Sequence, residues 1–283
     1  MHRSVRGKDY MNIFKTTIQA VIKRPFILIM IGAIMLAAAV FNAFIPLMAM
    51  IIGIVNMTGG GFFEGILSVL QMLIDPENIS MILVTLAAMT IIASTAIGIL
   101  LPGFLMITED GLVKGNKKRG LFFEGLKKYF FKFFIMGLKT ALFTLLLAVF
   151  LLVASVPAII FTRAAMTAGS NLLIAAIFMD IVTIGVFFMC LSFFSIYIYM
   201  WYIAASKGVE KAFKTGKAFA DRGFWSITLS LLLFSIVFAA VIYFIYSSES
   251  QLFRYFSGWA FTTAFFTTLA VYLVSTYKNL EHK

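Results

Sequence analysis

Residues 133–161 read FFIMGLKTALFTLLLAVFLLVASVPAIIF, and this run decides the fold class. It carries a single charged side chain, Lys139, and exceeds the roughly 20 apolar residues that a helix needs to cross a bilayer core about 30 Å thick. Lipid offers the backbone polar groups no partner, so such a run has to form an α-helix. The run therefore predicts a transmembrane helix.

Five further apolar runs meet the same length requirement. Together the six predicted spans lie at about 25–54, 81–107, 133–161, 172–204, 224–246 and 256–277. The composition agrees, because charged residues make up 12% of the chain, against about 25% in a soluble domain. We predict an all-α polytopic membrane bundle in which residues 1–283 form a single integral membrane domain.

The basic residues predict the orientation of these spans. All but three of the 23 lysines and arginines lie before the first span, after the second, after the fourth or after the sixth. The exceptions are Lys139, Arg163 and Arg254. Because basic connections stay in the cytoplasm, we expect a multi-pass protein of the plasma (cytoplasmic) membrane with both termini in the cytoplasm.

Three basic segments, each leading into an odd-numbered span, share one helical register. When Arg24, Lys132 and Arg222 are aligned, the positions two, three, six and ten residues earlier are apolar or small in every copy, and they trace one face of a helix. A basic amphipathic helix beside a span is expected to lie in the membrane interface. This predicts three repeat units, 9–107, 119–204 and 207–277. The alternative is that any loop entering a membrane is basic and amphipathic.

Two of these segments carry a resemblance to a known group. GLFFEGLKKYFFKFF at 120–134 and GVEKAFKTGKAF at 208–219 resemble bacterial six-span membrane proteins of uncharacterised function, among them the membrane domain fused to some glycerophosphodiester phosphodiesterases. The resemblance implies a six-helix membrane fold. This sequence contains no counterpart of the soluble catalytic domain of those fusions, so the resemblance implies no enzyme activity.

Polar residues inside the apolar runs are candidate functional residues, because burying them in lipid is costly. Asp180 either binds a cation or a proton during transport, or pairs structurally with Arg163. Asn42 lies one turn before Pro46, where a local helix break would form an ion site. A proline kink with a hydrogen-bonded asparagine is the alternative for this pair.

Catalytic and cofactor signatures are absent from the sequence. The two histidines, His2 and His282, lie at the ends of the chain, and Cys190 is the single cysteine. There is no Walker loop, no nucleophile elbow and no zinc-protease motif. We therefore expect no enzyme activity, no cofactor and no metal site. The basic residues are divided among short connections, so nucleic acid is not expected as a partner.

Two functions of different classes remain open. In the first, the protein organises the membrane or serves as an accessory subunit, and its basic segments bind anionic inner-leaflet lipids or a protein partner. In the second, it is a permease or transporter subunit in which Asp180 is the coupling residue and an ATPase binds near 122–132. The candidate lipid or partner surface consists of five lysines: Lys127, Lys128, Lys211, Lys214 and Lys217.

Overall fold

A computed structural model describes residues 6–44, 76–113, 118–168 and 172–281. Within these ranges the chain forms seven α-helices joined by short connections. In chain order they are α1 (Arg6–Lys23), α2 (Phe26–Phe44), α3 (Pro76–Leu112), α4 (Leu121–Ala168), α5 (Leu173–Ser206), α6 (Ala212–Tyr246) and α7 (Gln251–Glu281). The predicted all-α class is confirmed.

Helices α3 to α7 are each long and apolar enough to cross a membrane. The end of α1 and the start of α2 provide a sixth candidate if the bent pair is counted as one span. The five later predicted spans lie within α3 to α7, apart from residue 172, which directly precedes α5, and the helices extend beyond the predicted ends by up to 12 residues. The first predicted span coincides with α2 up to Phe44, while residues 45–54 lie outside the described part of the chain. These helices confirm a multi-pass helical membrane protein.

A sharp bend separates α1 from α2. Residues Lys15–Lys23 and Phe26–Ala37 meet at an angle of 94°. The bend falls at Pro25, which has no N–H to donate and which disfavours helical geometry in the residue before it, Arg24. The first basic segment is therefore a helix of its own, as predicted.

The second and third basic segments differ from this prediction, because neither is a separate helix. Residues 121–132 continue without a break into the rest of α4, and the segment from Ala212 continues through α6. At the register position of Pro25, these copies have Phe133 and Gly223, and neither residue removes a backbone donor. Without a proline the helical hydrogen bonds run on, so one helix includes both the basic segment and the span.

The aligned apolar faces also differ in what covers them. On α1, Ile18 and Ile22 are exposed, with Ile22 76% exposed, as expected of a lipid-facing side. On α6 the corresponding face is buried against protein, at Ala212, Gly216 and Ala220. A Cβ on Gly216 would lie 2.8 Å from the backbone carbonyl of Met200 in α5. Small residues here let two helices approach too closely for lipid to enter.

The aligned face of α4 is covered by protein as well. Tyr129 is buried, and a Cβ on Gly125 would lie 3.0 Å from the backbone of Gly103 in α3. The expectation that this face lies on lipid is therefore wrong for the second and third copies. The reason is the same in both, because a glycine on the basic segment allows backbone contact with the preceding helix.

The chain divides into two compact units. The first comprises Met1–Phe44, Ala96–Phe134 and Ile196–Lys283, and the second comprises Ile45–Thr95 and Ile135–Ser195. In the first unit α7 packs against α1, α2 and α6. The division into three repeat units stays a prediction.

Candidate functional site

The five lysines proposed as a lipid or partner surface are all exposed. Lys127 and Lys128 lie on the basic segment of α4. Lys211 immediately precedes α6, and Lys214 and Lys217 lie on its first turns. An exposed ammonium group is free to meet a lipid phosphate without first losing its hydration to the protein interior.

Large apolar side chains stand beside the lysines of α4. Phe123 is 66% exposed and Phe131 is 75% exposed, and both lie four residues from Lys127. Residues four apart share one helix face, so an aromatic ring precedes and another follows the ammonium group along α4. Aromatic rings together with basic side chains are typical of a membrane interface.

Among the described residues, an ion pair is seen for one of these five lysines, Lys217. Its Nζ lies 3.2 Å from Oδ2 of Asp221, one turn further along α6. The hydroxyl of Tyr197 donates to the other carboxylate oxygen of Asp221 at 2.5 Å. This pairing reduces the net charge that Lys217 brings to the surface.

Asp180 has a hydroxyl partner on the neighbouring helix of the second unit. The Oγ1 atom of Thr162 in α4 lies 3.2 Å and 3.3 Å from its two carboxylate oxygens. The carboxylate is half-buried. Thr162 immediately precedes Arg163, and the pairing of Asp180 with Arg163 stays a prediction.

The second intramembrane candidate, Asn42, lies near the C-terminal end of α2. The structure describes its backbone and not its side chain, and Pro46 lies outside the described residues. The proposed helix break at this position therefore stays a prediction.

Asp110 forms an ion-pair cluster that sequence reasoning missed. It lies near the C-terminal end of α3, where its Oδ2 is 2.5 Å from Nη2 of Arg24 and 3.7 Å from Nζ of Lys23. Lys23 also donates to the carbonyls of Asp110 and Val113, at 2.6 Å and 2.7 Å. The end of α1 is thus attached to the end of α3 by charge-assisted hydrogen bonds, which are the stronger kind.

A second cluster joins the ends of three helices. Nζ of Lys207, directly after α5, lies 3.3 Å from Oε1 of Glu109 in α3 and 2.5 Å from Oε2 of Glu281 in α7. It also lies 5.2 Å from the centre of the Tyr277 ring, a distance typical of a cation–π contact. We call Glu109, Lys207 and Glu281 the charged cluster.

The charged cluster changes the titration of its lysine. Burial alone would lower the pKa of Lys207, but the hydrogen bond to Glu281 and the attraction of both carboxylates raise the pKa above its ordinary value of 10.5. Opposite charges nearby favour the charged form of a titrating group. Lys207 is therefore a stable cation at physiological pH.

A sequence signal for both clusters did exist. Glu109 and Asp110 are adjacent acids at the end of the second predicted span, and few acids occur in this chain. The positive-inside rule considers only the basic residues, so it predicts no contact for these two acids. Their basic partners, Lys23, Arg24 and Lys207, lie far from them along the chain, so only the packing of the helices pairs them.

Two basic residues in the common register make parallel contacts. Arg24 donates from Nη2 to the carbonyl of Lys118, in the connection before α4. Lys132 donates from Nζ to the carbonyl of Val209 at 2.5 Å, in the connection before α6. Each of these two hydrogen bonds attaches a basic residue to the connection before the next basic segment. Equivalent contacts of this kind are expected of a repeated unit.

An apolar cavity of about 270 Å³ lies between α3, α5 and α7 in the first unit. Side chains from all three helices line it, including Leu105, Ile203 and Leu273. Two tyrosines, Tyr199 and Tyr202, also line it. Cavities lined in this way bind apolar molecules more readily than water.

The described residues contain no group of three or more histidine, cysteine or acidic side chains arranged to hold a metal ion. Cys190 lies half-buried in α5 as a free thiol. Both the ion-pair cluster around Asp110 and the charged cluster pair acidic with basic side chains, and such pairing is typical of structural contacts.

A scan of protein-family models finds no match to this sequence, and searches of curated proteins and of solved structures find none either.

Proposed function

We propose that the protein is a non-catalytic integral membrane protein whose basic surface binds anionic lipid head groups on the cytoplasmic side. In this role it organises the membrane around it or serves as an accessory subunit. The proposal places it in the plasma membrane with both termini in the cytoplasm, as the distribution of its basic residues predicts.

The observation that supports this proposal is the combination of exposed lysines with exposed aromatic side chains on α4. Lys127 has Phe123 and Phe131 one turn away on either side, and both rings are largely exposed. In a membrane interface, exposed aromatic rings of this kind enter the acyl region while the ammonium group meets the phosphates. Each such lysine attracts acidic lipid by about 1 kcal/mol.

Charge removal tests the proposal. A variant with Lys127, Lys128, Lys211 and Lys214 replaced by Gln should bind phosphatidylglycerol at least about tenfold more weakly, because it loses four attractions of about 1 kcal/mol each. Phosphatidylcholine binding should not change. Affinities are measured on purified protein by native mass spectrometry with added lipid.

Lys217→Gln is the matched control, since Asp221 already offsets the charge of Lys217. We expect it to weaken phosphatidylglycerol binding less than Lys214→Gln does. If the fourfold variant kept its preference for phosphatidylglycerol, the proposal would be overturned.

A permease or transporter subunit is the second candidate, and Asp180 favours it. Its carboxylate is half-buried in a predicted span and accepts from the Thr162 hydroxyl. In proteins that couple transport to ions, such carboxylates bind the cation or proton. An ATPase near 122–132 would be the partner in that case.

Asp180→Asn separates the two candidates. A permease should lose ion- or proton-dependent uptake in proteoliposomes while inserting and purifying normally. A structural Asp180 should instead show a lower yield and a lower melting temperature. Thr162→Val, which removes the hydroxyl and keeps the carboxylate, is the matched control for a purely structural effect.

A further inference from the structure

The cavity between α3, α5 and α7 ends at the charged cluster. Leu105 and Glu109 are four residues apart, as are Ile203 and Lys207, and residues so spaced lie one turn apart on the same helix face. On α7 the sequence Leu273, Tyr277, Glu281 repeats this spacing. On all three helices, the face that lines the cavity therefore leads directly to a charged residue.

The wall of the cavity is suited to a hydrocarbon chain. Its lining is aliphatic and aromatic, and its volume of about 270 Å³ exceeds that of the 150 Å³ apolar cavities known to hold a benzene ring. One lining residue, Tyr199, is 38% exposed, so the cavity reaches the surface of α5. In a membrane, the molecules in contact with that surface are themselves apolar chains.

The charged cluster carries one more negative charge than positive charge. Among the described residues of the charged cluster, one ammonium group faces two carboxylates. The C-terminal ends of α3, α5 and α7 also meet here, and each helix end contributes a partial negative charge. The side chains of Glu109 and Glu281 remain 34% and 42% exposed, so they are accessible to a second cation.

From these observations we propose that the cavity binds a single-chain amphiphile with a cationic head group. The hydrocarbon chain lies between α3, α5 and α7, and the head lies against Glu109 and Glu281. This site is distinct from the lysine surface and does not depend on its function.

Radiolabelled dodecyltrimethylammonium tests the proposal. The full-length protein in phosphatidylcholine nanodiscs should show saturable binding of one molecule, after subtraction of empty nanodiscs. Laurate has an alkyl chain of similar length and an anionic head, and it should compete at least about tenfold less well. Absence of saturable binding, or equal competition by laurate, would overturn the proposal.

Filling the cavity tests its location. Ala270→Phe should weaken dodecyltrimethylammonium binding at least about tenfold, because the added ring occupies the space of the chain. Ala264→Phe, on an exposed position of the same helix, should leave binding unchanged. Leu269→Trp is a second cavity-filling variant if Ala270→Phe does not fold, and unchanged binding by the folded variant would place the site elsewhere.

The head-group contact has its own test. Glu281→Gln should weaken binding of dodecyltrimethylammonium up to about fivefold, the range of a partly exposed ion pair. Binding of dodecanol, which has no charge, should not weaken. If both probes lost affinity equally, the cationic head group would not lie at this carboxylate.

Discussion

Lys207 connects two acidic helix ends, so its replacement tests how much the charged cluster stabilises the fold. Lys207→Met leaves Glu109 and Glu281 near each other without the cation between them. We expect the free energy of unfolding to fall by on the order of 1–2 kcal/mol, between the values for exposed and buried pairs. The melting temperature in detergent reports the change. Lys214→Met, at an exposed position, should melt like the wild type, and equal melting of the two variants would contradict the assignment.

The same residue predicts a pH dependence. The pKa of Lys207 is raised in the folded protein above its ordinary value of 10.5, so folding favours the protonated lysine. Its contribution to stability is then complete below about pH 10 and declines as the pH rises through the raised pKa. The stability difference between wild type and Lys207→Met should shrink above that pH.

Lys207→Arg provides the control for this titration, because a guanidinium stays charged throughout the accessible range. Its stability relative to Lys207→Met should not decline in the same interval. If the stability of the wild type and of Lys207→Arg, each relative to Lys207→Met, declined in parallel, groups other than Lys207 would be responsible for the pH dependence.

Contacts between single residues were the part of the site that the sequence could not predict. Arg24 and Asp110 are 86 positions apart, and Lys207 and Glu281 are 74 apart. Charge type and position relative to the spans are readable from the sequence, whereas the choice among several acids and bases depends on how the helices pack. The exposure of Lys127 and Lys128 was predictable, since it depends only on the periodicity of one helix.

At the level of helices, Gly216 decides how closely α6 approaches α5. A Cβ at this position would lie 2.8 Å from backbone atoms of Met200 and Trp201, so Gly216→Ala forces the helices apart. We expect a loss of about 1–3 kcal/mol, as for other overpacked sites. Thermal unfolding in detergent measures it.

Gly185 supplies the comparison within α5. Among the described residues, nothing lies within 4 Å of a Cβ built there, and alanine favours a helix over glycine by up to about 1 kcal/mol. Gly185→Ala should therefore melt at the same temperature as wild type or slightly higher. If Gly185→Ala lowered the melting temperature and Gly216→Ala did not, the close contact between α5 and α6 would not lie at Gly216.

The positions of the helices were largely predictable, but the continuity of the second and third basic segments with their spans was not. Runs such as residues 133–161 are too long and too apolar for any alternative to a helix in lipid. The difference between the three basic segments depends on one residue in the register, Pro25 in the first copy against Phe133 and Gly223 in the others. Aligning the apolar faces of the three basic segments does not reveal this difference, although a single missing backbone N–H is enough to end a helix.

For the whole molecule, the predicted orientation has a direct test. In a Cys190→Ser background, Glu249→Cys lies between α6 and α7 and should react with a membrane-impermeant maleimide in intact cells. Lys128→Cys should react only after lysis. Both positions are exposed, so a difference in labelling reports the side of the membrane. Labelling of Lys128→Cys in intact cells would show the opposite topology, with the basic connections outside the cell.

The charged cluster brings together the C-terminal ends of α3, α5 and α7, the last helix of each predicted pair of spans, and this limits how such a fold arises. A symmetric trimer of identical subunits would place the same side chain at all three positions around its axis. Three lysines or three glutamates so close together would repel one another. If the three units share an ancestor, joining them in one gene was what allowed the copies to diverge until a single cation stood between two anions.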